Sequence, residues 1–222
     1  MHQWFVYSQF DEAINAAAAF LAEQIELCIQ KNDVCHVVLP GGNTPARCLR
    51  ALAEKKISWD KVNWYLGDER CYKSGHPDRN DLMLQDNLWS HIGGNNAHII
   101  PAEMGAVEAA ESYRKTIASI DAFDIAFLGM GEDGHTASLF PGNDALLDGR
   151  SVVPVNNSPK PPDERVSLSL NTLKKAKIRM VLVNGKSKAV IIKRIRSGEL
   201  LPINCIGDIH WFIDEDAMSE SS

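Results

Sequence analysis

The sequence predicts an α/β fold: a three-layer sandwich in which a mostly parallel, Rossmann-like sheet is flanked by helices. Three observations predict it. Short β-branched runs alternate with longer amphipathic stretches along the chain, and strands that alternate with helices pair in parallel. Several runs are predominantly apolar, as strands covered on both faces are. Three of them end in glycine-containing segments, where open parallel sheets bind their ligands.

In chain order, Asp11 to Gln30 carries Ala, Leu and Ile at helical spacing, with Ser8 as candidate N-cap. Val34 to Leu39 (VCHVVL) is a buried strand that stops at Pro40-Gly41-Gly42. Thr44 as N-cap and Pro45 in the first turn open a helix that runs to about Lys55. Val62 to Gly67 (VNWYLG) is the second strand, and Asp81 to Trp89 and Val107 to Ile120 are helices. Asp124 to Gly129 (DIAFLG) is the third strand. The segment from about Gly142 to Glu164 is rich in Pro and Asn and reads as a long loop, a candidate lid. Arg165 to Leu170 alternates like a half-exposed strand, and Asn171 to Lys177 is a short helix or turn. Ile178 to Val183 is a strong strand, Lys186 to Ser197 a basic amphipathic helix, and His210 to Ile213 a last strand. No repeat, low-complexity stretch or boundary divides the chain, so residues 1–222 are expected to form one domain.

The chain has 222 residues, 45% hydrophobic and 23% charged, enough to bury a core without a disulfide or metal staple. A net charge of −6 disfavours nucleic acid, which is bound by neutralising phosphates. It leaves room for a small anion, which needs only a few placed donors. Cys28, Cys35, Cys48, Cys71 and Cys205 are odd in number, irregularly spaced and without CxxC, the pattern of free thiols in a reducing compartment. The start MHQWFVYSQF lacks a basic stretch before an apolar run, and the longest apolar run, Ala16 to Ala22, is too short for a bilayer. The expectation is a cytoplasmic protein with no membrane or nucleic-acid partner; no feature assigns an oligomeric state.

Three segments at strand ends carry chemistry. In Pro40-Gly41-Gly42-Asn43-Thr44-Pro45, glycines let a ligand approach backbone amides at a helix start, an anion site or an ordinary strand-to-helix turn. In Gly67-Asp68-Glu69-Arg70, Arg70 can fork a phosphate or carboxylate, or the charges can pair in a solvated loop. In Gly129-Met130-Gly131-Glu132-Asp133-Gly134-His135, the GxGxxG spacing suggests a dinucleotide site, but His135 would crowd the pyrophosphate and no acidic residue follows at a strand end about 20 residues on. The glycines instead expose His135, with Asp133 placed to orient its imidazole or to contact a ligand. Gly185-Lys186-Ser187 fails as a P-loop because position 180 is Met. GxSxG and HExxH do not occur, and the seven His residues lack metal-ligand spacing, so neither metal nor cofactor is expected.

Together LPGGNTP, WYLGDER, FLGMGEDGHTASLFPG, SPKPPDERVSLSLNTL, VNGKSKA and LPINCIGDIHWFIDEDA resemble, in order, the 6-phosphogluconolactonase family within the sugar-phosphate isomerase and deaminase superfamily. The resemblance implies hydrolysis of a phosphorylated sugar lactone. It implies that His135 activates water, helped by Asp133 and Arg70. Gly41, Gly42, Asn43, Thr44, Arg165 and Lys188 would hold the phosphate. Two departures stand out: Arg79 replaces the usual Ser between Asp78 and Asn80, and Ser167 and Ser169 stand where Thr is common. The nearest alternative is a glucosamine-6-phosphate deaminase, whose ring opening and enolisation need an extra carboxylate near the His; here Leu139 and Phe140 follow instead. A non-catalytic sugar-phosphate sensor and a dinucleotide-dependent oxidoreductase are more distant alternatives.

Overall fold

The computed structural model describes residues 1–93 and 96–219. Seven of its strands form one sheet: β1 (Gln3–Tyr7), β2 (Cys35–Leu39), β3 (Val62–Leu66), β5 (Asn96–His98), β6 (Ile125–Leu128), β9 (Ile178–Val183) and β10 (His210–Asp214). Three more, β4 (Asp68–Arg70), β7 (Val152–Val155) and β8 (Arg165–Leu168), form a small antiparallel sheet. The helices are α1 (Phe10–Asn32), α2 (Asn43–Ala53), α3 (Asn80–Leu84, continued by a π turn to Trp89), α4 (Ala106–Thr116), α5 (Leu170–Lys175), α6 (Ala189–Arg196) and α7 (Glu215–Met218).

The main sheet is parallel throughout, in the order β1-β10-β9-β6-β2-β3-β5. After β2 the chain winds outward through β3 and β5; it then returns to β6 and winds the other way through β9 and β10. The direction reverses between β2 and β6. Loops leaving the carboxyl ends of two such strands diverge, and the crevice between them is where an open α/β sheet binds ligand. Here those loops are the Pro40–Pro45 and Gly129–His135 segments. α1 and α2 pack together on one face of the sheet, α7 packs on β10 and β1, and α4 covers the small sheet. The buried residues of β2, β3, β6 and β9 supply the centre of the core.

Several expectations need correction. β1 was not expected: it pairs with β10 at the sheet edge, and Trp4 stacks on Trp211 at 4.8 Å. α1 starts at Phe10 after Gln9, and Ser8 is no cap: its hydroxyl and the Gln9 amide both donate to the Glu12 carboxylate. Gly42, not Thr44, precedes α2, and its φ of 101° suits glycine. The Gly67–Arg70 segment is not a solvated loop; Asp68 and Glu69 are buried in β4. β8 is buried along its whole length rather than half exposed, because it is the middle strand of the small sheet. Its partner β7 lies inside the stretch read as one long loop.

Candidate active site

The expected site residues line a cleft of about 250 Å³ at the crevice: Gly41, Gly42, Asn43, Thr44, Arg70, His135, Arg165 and Lys188. Asp133 stands behind His135. Asp68, Asn80, Lys160 and Asn184, which are not among the expected site residues, also face the cleft.

His135 is placed by its loop. Gly131 donates its backbone amide to the His135 carbonyl, and a Cβ at Gly131 would fall 2.0 Å from His135 Nδ1. The glycine therefore makes room for the ring. Asp133 Oδ1 accepts from both His135 Nδ1 (2.5 Å) and the His135 amide (3.1 Å). With the Nδ1 proton held there, Nε2 carries the lone pair. Nε2 has no protein partner among the described residues and is open to solvent. The side chain is 16% exposed. Burial pushes the imidazole below the ordinary histidine range, against the upward pull of Asp133. Burial alone would raise Asp133, but His135 outweighs it and holds the carboxyl below its usual range. Both shifts favour a neutral imidazole beside an ionised aspartate. The Phe140 ring, 4.4 Å from the imidazole, closes its other side.

Cations gather opposite. Arg70, Lys160, Arg165 and Lys188 line the cleft of a chain whose net charge is −6. Arg165 is buried; its Nη2 donates to the carbonyls of Lys160 and Pro161 at 3.0 Å, so it also fixes the loop that presents Lys160. Burial lowers its affinity for a proton, yet no guanidinium deprotonates near neutral pH. Lys188 Nζ spends one hydrogen on Met130 O (3.0 Å), and Arg70 Nη1 donates to Asp78 O (2.7 Å). The amides at the start of α2 add the positive end of a helix dipole. The Thr44 hydroxyl donates to Asn184 Oδ1 at 3.0 Å. Its backbone amide remains at the helix start.

A brace lies under the cleft. Asp68 accepts from Ser138 Oγ (2.6 Å) and from Asn80 Nδ2 (3.3 Å). Asn80 sits where a Cβ on Gly41 would be, 1.9 Å from its Oδ1, so this glycine permits the contact between the loops after β2 and β3. Glu69 is wholly buried and accepts from the amides of Arg70, Asn80 and Asp81, capping α3. Arg79, the departure in the sequence, faces away from the cleft and binds Asp81, Glu103 and the carbonyls of Tyr72 and Ile100.

With this geometry in place, comparison with known proteins is decisive. A family profile described as glucosamine-6-phosphate isomerases/6-phosphogluconolactonase matches residues 8–211. The chain belongs to this isomerase/lactonase family. It is 30% identical to the 6-phosphogluconolactonase of Mycobacterium leprae over 97% of this chain and 96% of that protein. It is 32% identical to the human 6-phosphogluconolactonase over 96% and 91%. The crystal structure of 6-phosphogluconolactonase from Thermotoga maritima superposes with a TM-score of 0.90 at 26% identity, covering 96% of this chain and 100% of that one. A monomeric glucosamine-6-phosphate deaminase superposes at 0.84 with 21% identity, covering 97% and 98%, which shows the shared fold alone. In this chain Leu139 and Phe140, which follow His135, are both buried, and the Phe140 ring lies against the imidazole.

Proposed function

We propose that this chain hydrolyses 6-phospho-D-glucono-1,5-lactone to 6-phosphogluconate, the lactone step of the oxidative pentose phosphate pathway, acting as one domain over residues 1–222 in the cytoplasm. The observation that carries the mechanism is His135, with Nδ1 fixed by Asp133 and Nε2 open to a cationic cleft. Water, deprotonated by Nε2, attacks the lactone carbonyl; the imidazolium then returns the proton to the departing ring oxygen. A δ-lactone is an activated ester, so no covalent enzyme intermediate is needed. Asp133 stabilises the transient imidazolium, as an orienting carboxylate does in other His-based sites. Arg70 and glycine-loop amides stabilise the oxyanion. Arg165, Lys188, Lys160 and the start of α2 hold the phosphate, and this remote binding orients the carbonyl. Asp68 accepts hydrogen bonds from the sugar hydroxyls.

Among the described residues no helix is long and apolar enough to cross a membrane, and all five cysteines are free, which supports the cytoplasmic reading. The test is an assay with freshly made lactone, corrected for spontaneous hydrolysis, beside glucosamine 6-phosphate with ammonia detection. Turnover of the lactone without ammonia release is expected; ammonia release, or lactone loss at the spontaneous rate, overturns the reading. kcat is expected to stay level above neutral pH and to fall as acid protonates His135, whose affinity for a proton burial has lowered. Activity is expected to survive EDTA.

A further inference from the structure

At the amino-terminal end of the central strands β2 and β6, opposite the cleft, three side chains that the proposed reaction does not use converge. They are Cys28 on the last turns of α1, Cys35 at the start of β2, and Asp124 just before β6. Their two Sγ atoms and a carboxylate oxygen all lie within 4.8 Å of one another. Cys35 and Asp124 are buried and Cys28 is half-buried, so the group has a closed floor and an open side. We propose that this cluster binds a soft divalent cation of the zinc group through two thiolates and the Asp124 carboxylate, with water as the fourth ligand.

Geometry, charge and ligand type carry the proposal. A tetrahedral zinc with Zn–S bonds of about 2.3 Å sets its sulfurs roughly 3.8 Å apart, so the cluster must contract by no more than about 1 Å. Two sulfurs and one carboxylate favour zinc or cadmium over magnesium or calcium, which take oxygen ligands. Asp124 is already oriented: Oδ2 accepts from the His36 amide at 2.9 Å, and Oδ1 from Lys177 Nζ at 2.7 Å. Such outer contacts fix a ligating group before the ion arrives. Binding replaces the two thiol protons with the ion, and both protons leave to water. The ion and Lys177 then bring three positive charges against two thiolates and one carboxylate, so the site is neutral. No spacing motif announces the site, because its ligands come from three separate segments. Five residues of extended chain, about 16 Å, separate Cys35 from Pro40 at the cleft.

The test is a titration of the reduced full-length chain with Cd²⁺ in weakly buffered solution. The ultraviolet sulfur-to-cadmium absorption and the released protons are followed together. The expected result is a band that saturates at one equivalent with two protons released per ion, and a Tm raised by the ion. Cys28→Ser and Cys35→Ser lose the one-equivalent band, and Asp124→Asn weakens binding while keeping it. Cys28 is half-buried, so Cys28→Ser carries the test even where Cys35→Ser does not fold. No saturable band at one equivalent overturns the proposal, and so does an undiminished band in Cys28→Ser, which would place the ion on other thiols.

Discussion

Arg79 and Arg165 are 2% and 5% exposed, but their guanidinium groups meet different partners. Arg79 binds Asp81 through Nε at 3.0 Å and Nη2 at 2.7 Å, Glu103 through Nη1 at 2.7 Å, and two carbonyls besides. Arg165 finds carbonyl oxygens of the 160–162 turn and the face of Phe140, and no carboxylate ion-pairs with it among the described residues. Burial acts first on both. Asp81 and Glu103 overcome it for Arg79, whose grip on its proton strengthens, while burial prevails for Arg165. Burial of a guanidinium therefore does not identify an anion site. What identifies one is a charge solvated by dipoles alone and left for a ligand to neutralise. The same contrast separates two regions: the cleft leaves His135 Nε2 and the cationic heads incompletely paired, whereas the brace of residues 68–81 satisfies Glu69, Arg79 and Asn80. Substitutions in the cleft should cost activity at little cost in stability, and substitutions in the brace the reverse.

The sharpest way to break this division is His135→Ala. Loss of a general base is expected to lower kcat by about 10²–10⁴-fold, with KM and Tm nearly unchanged. A large fall in Tm with kcat retained would move His135 from the cleft set to the brace. Next comes Arg79→Ala. Removing one partner of a buried ionic group costs about 3–5 kcal/mol, because the largely buried Asp81 is left without its cation. Denaturant unfolding should show this loss, while the fraction that stays folded keeps its kcat and KM. Arg165→Ala is expected to raise KM by about 10–100-fold, the worth of a charge-assisted hydrogen bond of about 1.5–3 kcal/mol, with a smaller change in kcat. An unaltered KM would show that the phosphate lies elsewhere, and Lys160→Ala would then be the informative variant.

How much of this was legible in the sequence follows from what each residue touches. β2, β3, β6 and β9 were readable because strands covered on both faces are mostly apolar, interrupted here only by His36, Asn63 and Arg179 near the strand starts. The glycine-rich loops were readable because a buried strand cannot continue through them. β1 escaped because an edge strand alternates weakly, with Gln3 and Val6 exposed. The small sheet escaped because its members are short and far apart in the chain, and their pairing is a tertiary fact. Ser167 looked like an exposed position of β8, but it is buried and donates to the Leu168 carbonyl. Asp68 and Asn80 were passed over for the same reason. Asp68 reads as one charge of a solvated loop until Ser138, 70 residues away, is found bonded to it. Arg79 looked like a departure bearing on function; only its partners show that it braces the fold.

Glu69 offers the mildest and most selective test of the brace. Burial raises its carboxyl to about 7, even though three backbone amides favour the charged form. The native state therefore holds a proton that the unfolded chain has already lost. Stability from this group is complete below the unfolded value, near 4.5, and is lost as pH rises through about 7. The slope cannot exceed about 1.4 kcal/mol per pH unit for one proton. His36, His98 and His135, all lowered by burial, contribute stability of the opposite sign that is lost as pH falls. Wild type alone would therefore show a blunted profile, and the difference between wild type and Glu69→Gln isolates the carboxyl. The variant turns an amide N–H toward backbone amides that now donate to Glu69, so it should be less stable at pH 5. Its disadvantage should shrink as pH rises towards 7, because the unfolded wild-type chain ionises at this carboxyl while the native state still holds the proton. A constant difference across that range would mean that Glu69 is ionised in the native state just as in the unfolded chain, and the brace would then owe nothing to its titration.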